Sequence, residues 1–258
     1  MKLFDSHAHV CDEKFNEDRK EILESIRNSN ISNFVEVGYS LKSSMDAVKL
    51  SKDYDFIYSA IGISPNDIPQ DIETMWKELE EIRKIAKENK LVAIGEIGLD
   101  YYWNKENKDI QKELFIKQIE IANEMELPIV IHSRDAWIDT INILKENKVE
   151  KSGIFHCCQL NLELIKNALE LGYYISLAGP ITFKNVKNAK EILEIIPLDK
   201  LLIETDSPYL TPEPNRGKRN NPQNVEYVAR KIAEIKGMDI EEIAKRTVEN
   251  TKKIFNIT

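Results

Sequence analysis

The sequence predicts an α/β protein in which one (β/α)8 barrel domain spans residues 1–258. Eight short apolar runs alternate along the chain with longer, charge-rich segments whose apolar residues recur at helical spacing. Alternating strands and helices predict a parallel sheet with right-handed crossovers, and eight such units favour closure into a barrel. No glycine-rich fingerprint follows the first apolar run, which disfavours a dinucleotide-binding fold, and no Pro/Gly linker divides the chain.

The candidate strands are short, and several are almost continuously apolar. This pattern is typical of parallel strands that are covered on both faces. In chain order they are Leu3–His7, Asn33–Gly38, Ile57–Gly62, Leu91–Glu96, Pro128–His132, Gly153–Cys157, Tyr173–Leu177 and Leu201–Thr205.

The segments between the strands have the pattern of amphipathic helices. One helix pattern follows Asp109, and another begins where Asp239 and Glu242 resemble a capping box. Charge-rich stretches such as Lys77–Glu81 predict solvated helix exteriors. The clearest apolar stripe consists of Ile72, Met75, Leu79, Ile82 and Ala86.

The composition is that of an acidic globular protein. A formal net charge of −8 argues against a DNA-coating protein, although an acidic enzyme can bind phosphate through metal ions and one basic loop. Three cysteines, two of them adjacent, indicate no disulfide framework and suit a reducing compartment. The first residues lack a signal-peptide pattern and no stretch is long enough to span a bilayer, so we expect a cytoplasmic protein without a membrane partner. The oligomeric state is left open.

All four histidines lie at the carboxyl ends of candidate strands. His7 and His9 are two residues apart, so the period of a strand points both imidazoles to the same side. His132 and His156 each lie at the carboxyl end of another candidate strand. The carboxyl ends of barrel strands converge on one face, where active sites are built.

Two carboxylates occupy matching positions, Glu96 after the fourth apolar run and Asp206 after the eighth. Imidazole and carboxylate together suit Zn²⁺ or Mn²⁺, and the carboxylates also suit Mg²⁺. Six ligands exceed the usual three of one catalytic zinc, so we expect two divalent ions bridged by Glu96. The expected sets are His7, His9, Glu96 and Asp206 on one ion and Glu96, His132 and His156 on the other.

The sequence resembles the TatD-type metal-dependent deoxyribonucleases, a branch of the amidohydrolase-like barrels. The matching stretches occur in the right order over essentially the whole chain: Phe4–His9, Gly95–Tyr101, Ile131–Ala136, Phe155–Cys157, Thr182–Asn185, Leu202–Leu210 and Arg216–Asn220. The resemblance implies a TIM-type barrel and a 3′→5′ deoxyribonuclease that uses metal-activated water. It implies the same six ligands, and DNA or RNA with single-stranded ends as substrate. Glu96 stands where related barrel hydrolases have a modified lysine, which favours the TatD branch.

Two departures from the family pattern concern the substrate more than the metals. The third strand leads into Gly62-Ile63-Ser64-Pro65, where the family usually has Gly-x-His-Pro. Cys157-Cys158-Gln159 replaces the usual Cys-Phe-Ser or Cys-Phe-Thr after His156. Both changes are expected to retune the pocket wall, and the two cysteines are more typical of packing than of metal binding.

Several basic and acidic residues are candidates for supporting roles. The guanidinium of Arg134 could donate two hydrogen bonds to phosphate oxygens, and the alternative is a salt bridge to Asp135. Lys184 is a similar candidate for phosphate binding. The dense basic patch of Arg216, Lys218 and Arg219 lies in the region where barrels commonly bind phosphate, with a solvated loop as the alternative. Glu204 lies two residues before Asp206, and Asp5 lies two residues before His7, so each faces the same side of its strand as those ligands. Both are candidates for orienting the ligands.

The expected chemistry is attack of metal-activated water on a phosphodiester, with Glu96 and Asp206 as the catalytic carboxylates and Asp206 as proton acceptor. Two alternatives stay open. One is a D-aminoacyl-tRNA deacylase or other ester metallohydrolase on the same scaffold, and the other is a non-catalytic, metal-stabilised binding scaffold.

Overall fold

The computed structural model describes residues 1–258 and contains one sheet of eight strands. Neighbouring strands are parallel and follow the order of the chain, and helices alternate with them, as in a TIM barrel. This confirms the predicted fold class. The strands are β1 (Leu3–Ala8), β2 (Ile31–Val37), β3 (Ile57–Ile61), β4 (Ala93–Asp100), β5 (Ile129–Arg134), β6 (Gly153–Phe155), β7 (Tyr174–Leu177) and β8 (Leu201–Ile203).

Backbone hydrogen bonds between the end of β1 and the segment after β8 bring the sheet to closure. The amide of His9 donates to the carbonyl of Ser207 (2.8 Å), and the amide of Asp206 donates to the carbonyl of His7 (3.0 Å). Ala8 and Ser207 form a parallel bridge at the same place. The closure therefore places the first histidine pair directly beside Asp206.

The helices pack around the outside of the sheet. Their first turns use different caps: Ser40 and Ser43 form a reciprocal capping box at α2, whereas Asp71 caps α3 through the amide of Thr74. None of the helices is both long and apolar enough to cross a membrane. They are α1 (Arg19–Arg27), α2 (Leu41–Asp53), α3 (Ile72–Glu88), α4 (Lys108–Glu124), α5 (Trp137–Glu146), α6 (Leu162–Glu170), α7 (Ala189–Ile195), α8 (Val225–Lys236) and α9 (Ile240–Ile254).

The predicted capping box at α9 is only half formed, because Glu242 does not hydrogen-bond back to the amide of Asp239. Asp239 accepts a hydrogen bond from the amide of Glu241 (2.8 Å), so the helix is capped. Glu242 instead turns along the helix to Arg246 (2.7 Å), because a cation four residues on competes for its carboxylate.

Strand ends are the other correction to the predicted elements. The sequence predicts that the fourth strand ends at Glu96, but β4 continues to Asp100 and pairs with β5 as far as Arg134. Gly98 explains the difference, since its φ of +138° is open to glycine and a Cβ there would lie 2.1 Å from the carbonyl oxygen of His132. The glycine therefore continues the strand instead of ending it. In contrast, β6 and β8 end two residues earlier than predicted, so His156 and Asp206 lie in the segments after these strands.

The hydrophobic core has two parts. The larger cluster joins the outer face of the strands to the helices. A smaller cluster, which includes Phe4, Val35 and Leu202, fills the inside of the barrel and is completed by Ile254 and Phe255 at the end of α9. Above it the interior becomes polar, where Ser6 of β1 and Ser176 of β7 hydrogen-bond across the barrel (2.9 Å).

Candidate metal centre

The first pair of histidines comes from β1 and the residue just beyond it. The Nε2 atoms of His7 and His9 lie 3.0 Å apart, and both side chains are buried. The Nδ1 of His9 donates to the carbonyl oxygen of Val37 (2.7 Å), which directs Nε2 towards its partner. Two imidazole nitrogens thus point at one small volume.

Glu96 of β4 lies between the two histidine pairs, with a different oxygen towards each. Its Oε2 is 3.4 Å from Nε2 of His7 and 3.5 Å from Nε2 of His9. Its Oε1 is 3.0 Å from Nδ1 of His132 and 3.4 Å from Nε2 of His156. This is the arrangement that a carboxylate bridging two cations requires.

The second pair of histidines is oriented by two buried carboxylates. Nδ1 of His132 lies 3.2 Å from Nε2 of His156. Asp100 accepts from Nε2 of His132 (2.9 Å), and Glu204 lies 3.3 Å from Nδ1 of His156 while accepting from the amide of Cys157 (2.7 Å). A carboxylate behind an imidazole fixes the tautomer and directs the other nitrogen to the centre.

Asp206 lies on the side of the first pair, with Oδ1 at 3.4 Å from Nε2 of His9 and 3.8 Å from Nε2 of His7. Asp5 lies behind it and accepts from the backbone amide (2.9 Å) and hydroxyl (2.5 Å) of Thr205 and from the amide of His7 (3.2 Å). Asp5 therefore ties β1 to the turn that carries Asp206.

The electrostatics of the cluster depend on how imidazoles and carboxylates share charge. Burial opposes ionisation of Glu96, but His156, His132 and His7 hold its pKa well below the ordinary value. Desolvation likewise opposes ionisation of Asp206, but the imidazoles, led by His9, lower its pKa. Burial disfavours the charged form of His9, yet Asp206 and Glu96 raise its pKa to about 9. The imidazoles therefore stabilise the charged form of both carboxylates.

The donor atoms of the cluster fit metal binding. Three groups of potential ligands lie within coordinating distance of one another: His7, His9 and Glu96; Glu96, His132 and His156; and His7, His156 and Asp206. The first two groups share only Glu96, whereas the third joins Asp206 to one histidine from each pair. Metal binding would displace protons from the imidazoles, because metal ligands must be deprotonated.

The cluster opens into a cavity of about 1310 Å³. Ser64, Cys157, Cys158 and Gln159 all line it, so both departures from the family pattern lie in the pocket wall. Ser64 is buried, and its hydroxyl accepts from the amide of Asn66 (3.2 Å).

The candidate phosphate-binding residues fall into two groups. Arg134 lines the cavity and makes no ion pair, since Asp135 hydrogen-bonds with Gln159 instead. Lys184 and the loop with Arg216, Lys218 and Arg219 are exposed and do not line the cavity.

Within that loop the cations differ in their contacts. Arg219 donates to both carboxylate oxygens of Asp18 and lies over the ring of Phe15, so its charge is partly neutralised. Arg216 stacks on Phe183 with its guanidinium 3.5 Å from the ring centre, whereas the ammonium of Lys218 has no partner.

Sequence reasoning missed two carboxylates that support the ligands. Asp100 follows Glu96 by four residues. Side chains in a strand alternate between its two faces, so a predicted strand that ran beyond Glu96 would have placed both carboxylates on the same face. Glu36 interrupts the apolar run of β2 and accepts from the amides of Val10 (2.7 Å) and Cys11 (2.8 Å), which fixes the turn after His9. Burial raises the pKa of Glu36 to about 7. A charged residue within an otherwise apolar strand was the available signal.

Comparisons with known proteins give one family. The family described as TatD related DNase matches residues 4–256. The uncharacterized metal-dependent hydrolase YabD of Bacillus subtilis (strain 168) is 46% identical over 256 residues, covering 99% of each chain. YcfH of Escherichia coli (strain K12), which carries the same description, is 38% identical over 264 residues, covering 100% of this chain and 97% of that protein. The crystal structure of YjjV, a TatD homolog from Escherichia coli K12, has a TM-score of 0.92 at 25% identity and covers 99% of this chain and 98% of that one.

Proposed function

The chain belongs to the TatD-related DNase family of metal-dependent hydrolases, and we propose that it hydrolyses phosphodiester bonds of nucleic acids, as a 3′→5′ deoxyribonuclease. The observation that supports this best is the position of Glu96, with one carboxylate oxygen towards each histidine pair. A pair of bridged cations is the arrangement that stabilises both the attacking and the leaving oxygen of a phosphoryl transfer.

The proposed ligands are the six side chains of the cluster. His7, His9 and Asp206 would hold one ion, His132 and His156 the other, and Glu96 both. When bound, the ions supply an activated water and neutralise charge on the phosphoryl oxygens. Asp100 and Glu204 hold the imidazoles of the second pair in the tautomer that presents a lone pair to the centre.

Asp206 is the proposed proton acceptor. The neighbouring imidazoles hold its pKa below the ordinary value, so it is ionised at neutral pH. Its side chain is 14% exposed and that of Glu96 is 8% exposed, so Asp206 is the acidic ligand that faces the cavity more openly. Its carboxylate can therefore take a proton from the attacking water at the cavity floor.

Arg134 is the proposed contact for a non-bridging phosphate oxygen. It stands on the cavity wall two residues after His132, and its guanidinium has no carboxylate to neutralise it. Lys184 and the loop cations lie outside the cavity, so their proposed contribution is to attract more distant phosphates of the strand.

The proposal is tested by a time course on 5′- and 3′-labelled single- and double-stranded DNA with Mg²⁺, Mn²⁺ or Zn²⁺. Metal-dependent shortening from the 3′ end is expected, with loss of activity on chelation and in Asp206→Ala. Asp55→Ala is the matched control, because Asp55 is exposed and does not line the cavity. Full activity of Asp206→Ala at saturating metal would remove Asp206 from the mechanism.

The two alternatives are separate arms of the same experiment. Ser64 in the pocket wall is the feature that would suit a retuned substrate. Release of D-amino acid from D-aminoacyl-tRNA, without cleavage of any DNA, would replace the nuclease proposal with an ester hydrolase. Metal-loaded protein that hydrolyses neither substrate would favour the non-catalytic scaffold.

A further inference from the structure

Two aromatic side chains stand exposed at the rim of the cavity, directly after β4. Trp103 is 65% exposed, which is the highest value among the large apolar side chains, and Tyr102 is 47% exposed. Their rings meet edge to face with centroids 4.8 Å apart. Trp103 also lines the cavity that contains the metal-ligand candidates.

The backbone that carries these rings is firmly held. The amides of Tyr102 and Trp103 both donate to Oδ1 of Asp100 (2.9 Å each), the carboxylate that orients His132. The next residue, Asn104, donates from its side chain to Asn66 (3.1 Å), and its carbonyl accepts from Gln111 (2.9 Å). A tryptophan fixed in position but left in water loses the gain from burial, so its exposure calls for a ligand.

The charge beside the rings indicates what kind of ligand. The guanidinium of Arg134 lies 4.0 Å from the ring centre of Tyr102 and 5.5 Å from that of Trp103, and it has no ion pair. A cation beside exposed aromatic faces is the combination that binds single-stranded nucleic acid, since the rings stack on bases while the cation holds phosphate. The patch is continuous with the metal-ligand cluster through the cavity wall.

We propose that Trp103, supported by Tyr102 and Arg134, is a stacking site for one nucleobase near the end of a single-stranded nucleic acid whose phosphodiester lies at the metal-ligand cluster. This rests on the proposed function. Every base has a π-face, so the site would accept all bases and would discriminate against abasic nucleotides and base-paired ends.

The test compares wild type, Trp103→Ala, Trp103→Phe and Ile138→Ala as full-length, metal-loaded protein. Ile138 is the matched control, because it is 57% exposed and does not line the cavity. Binding is measured by anisotropy of labelled, phosphorothioate-linked tetrathymidylate and of the same oligonucleotide with single abasic positions. Hydrolysis of the ordinary oligonucleotide gives kcat and KM.

Trp103→Ala is expected to weaken binding by roughly 5- to 150-fold, the range for one stacked base, and to raise KM more than it lowers kcat. Trp103→Phe is expected to keep most of the affinity, and Ile138→Ala all of it. One abasic position should weaken binding to wild type but not further weaken binding to Trp103→Ala. The salt dependence of binding should be the same with and without the tryptophan, because no phosphate contact is lost.

The outcomes separate this proposal from the nuclease proposal. Cleavage of DNA by wild type with unchanged affinity and KM in Trp103→Ala would overturn the stacking site alone. Base-dependent binding through Trp103 without any cleavage would support the stacking site and overturn the nuclease. Self-association that Trp103→Ala abolishes, with unchanged oligonucleotide binding, would assign the patch to a contact between two copies and overturn the proposal.

Discussion

Replacing Asp100 with asparagine tests how strongly the surroundings of the ligands control the metal centre. The carboxylate accepts four hydrogen bonds: Oδ1 from the amides of Tyr102 and Trp103 (2.9 Å each), and Oδ2 from His132 (2.9 Å) and Asn66 (3.1 Å). Asparagine has the same shape but only one acceptor oxygen, and its amide group is a donor. Each oxygen of Asp100 accepts from two donors, so in either orientation the new amide group, itself a donor, would face two other donors.

The expected consequence depends on which side receives the amide nitrogen. If it faces Nε2 of His132, the imidazole must move its proton to Nδ1, the nitrogen that points to Glu96 and the centre. If it faces the backbone amides, the turn after β4 loses both hydrogen bonds. Replacing such a supporting group typically reduces metal affinity or activity by about 10- to 100-fold, which corresponds to about 1.4 to 2.8 kcal/mol.

The measurement is calorimetric titration of chelator-treated Asp100→Asn with Zn²⁺ or Mn²⁺, together with activity as a function of metal concentration. Asp139→Asn is the control, since Asp139 accepts from Tyr101 (2.7 Å) but contacts none of the ligand candidates. Circular dichroism establishes that each variant is folded. Wild-type affinity and activity in Asp100→Asn would refute the argument from the tautomer of His132.

The remaining predictions concern Glu96 and the exposed loop. Glu96→Gln leaves only one oxygen for the two histidine pairs, so elemental analysis after dialysis is expected to find one ion per chain instead of two; two retained ions would contradict the bridge. Lys218→Ala/Arg219→Ala is expected to weaken DNA binding and flatten its salt dependence without abolishing cleavage. Since Arg219 is already paired with Asp18, Lys218→Ala alone should account for most of the effect; unchanged affinity and salt slope in the double variant would remove the loop from the proposal.

The fold and the candidate ligands were predictable because both depend on short-range periodicity. Strands of apolar residues at regular intervals predict the parallel barrel, and the barrel then brings the ends of distant strands together. His7, Glu96 and His132 lie far apart in sequence, yet each is the last residue of a strand that the sequence predicts, so the predicted barrel alone brings them together. The structure places them within 3.4 Å of their nearest ligand candidates.

The rest depends on contacts that periodicity does not encode. The predicted fourth strand stops at Glu96, whereas Gly98 lets β4 pass close to His132 and continue to Asp100. The link from Asp5 to Thr205 spans 200 residues and follows from the register at barrel closure. The pairing of Arg219 with Asp18 depends on the paths of two loops, so the sequence predicts a basic patch but not which of its charges is free.

Asp100 connects the two proposed sites physically, and this gives them different mutational signatures. One oxygen of its carboxylate orients His132, while the other holds the amides of Tyr102 and Trp103. Loss of the carboxylate should therefore lower metal affinity and oligonucleotide affinity together, whereas loss of the Trp103 ring should lower only the second. If Asp100→Asn weakened metal binding but left base-dependent binding intact, the asparagine carbonyl would be accepting from the two backbone amides and its amide group would face His132. The turn that carries Trp103 would then keep both hydrogen bonds while His132 lost its acceptor.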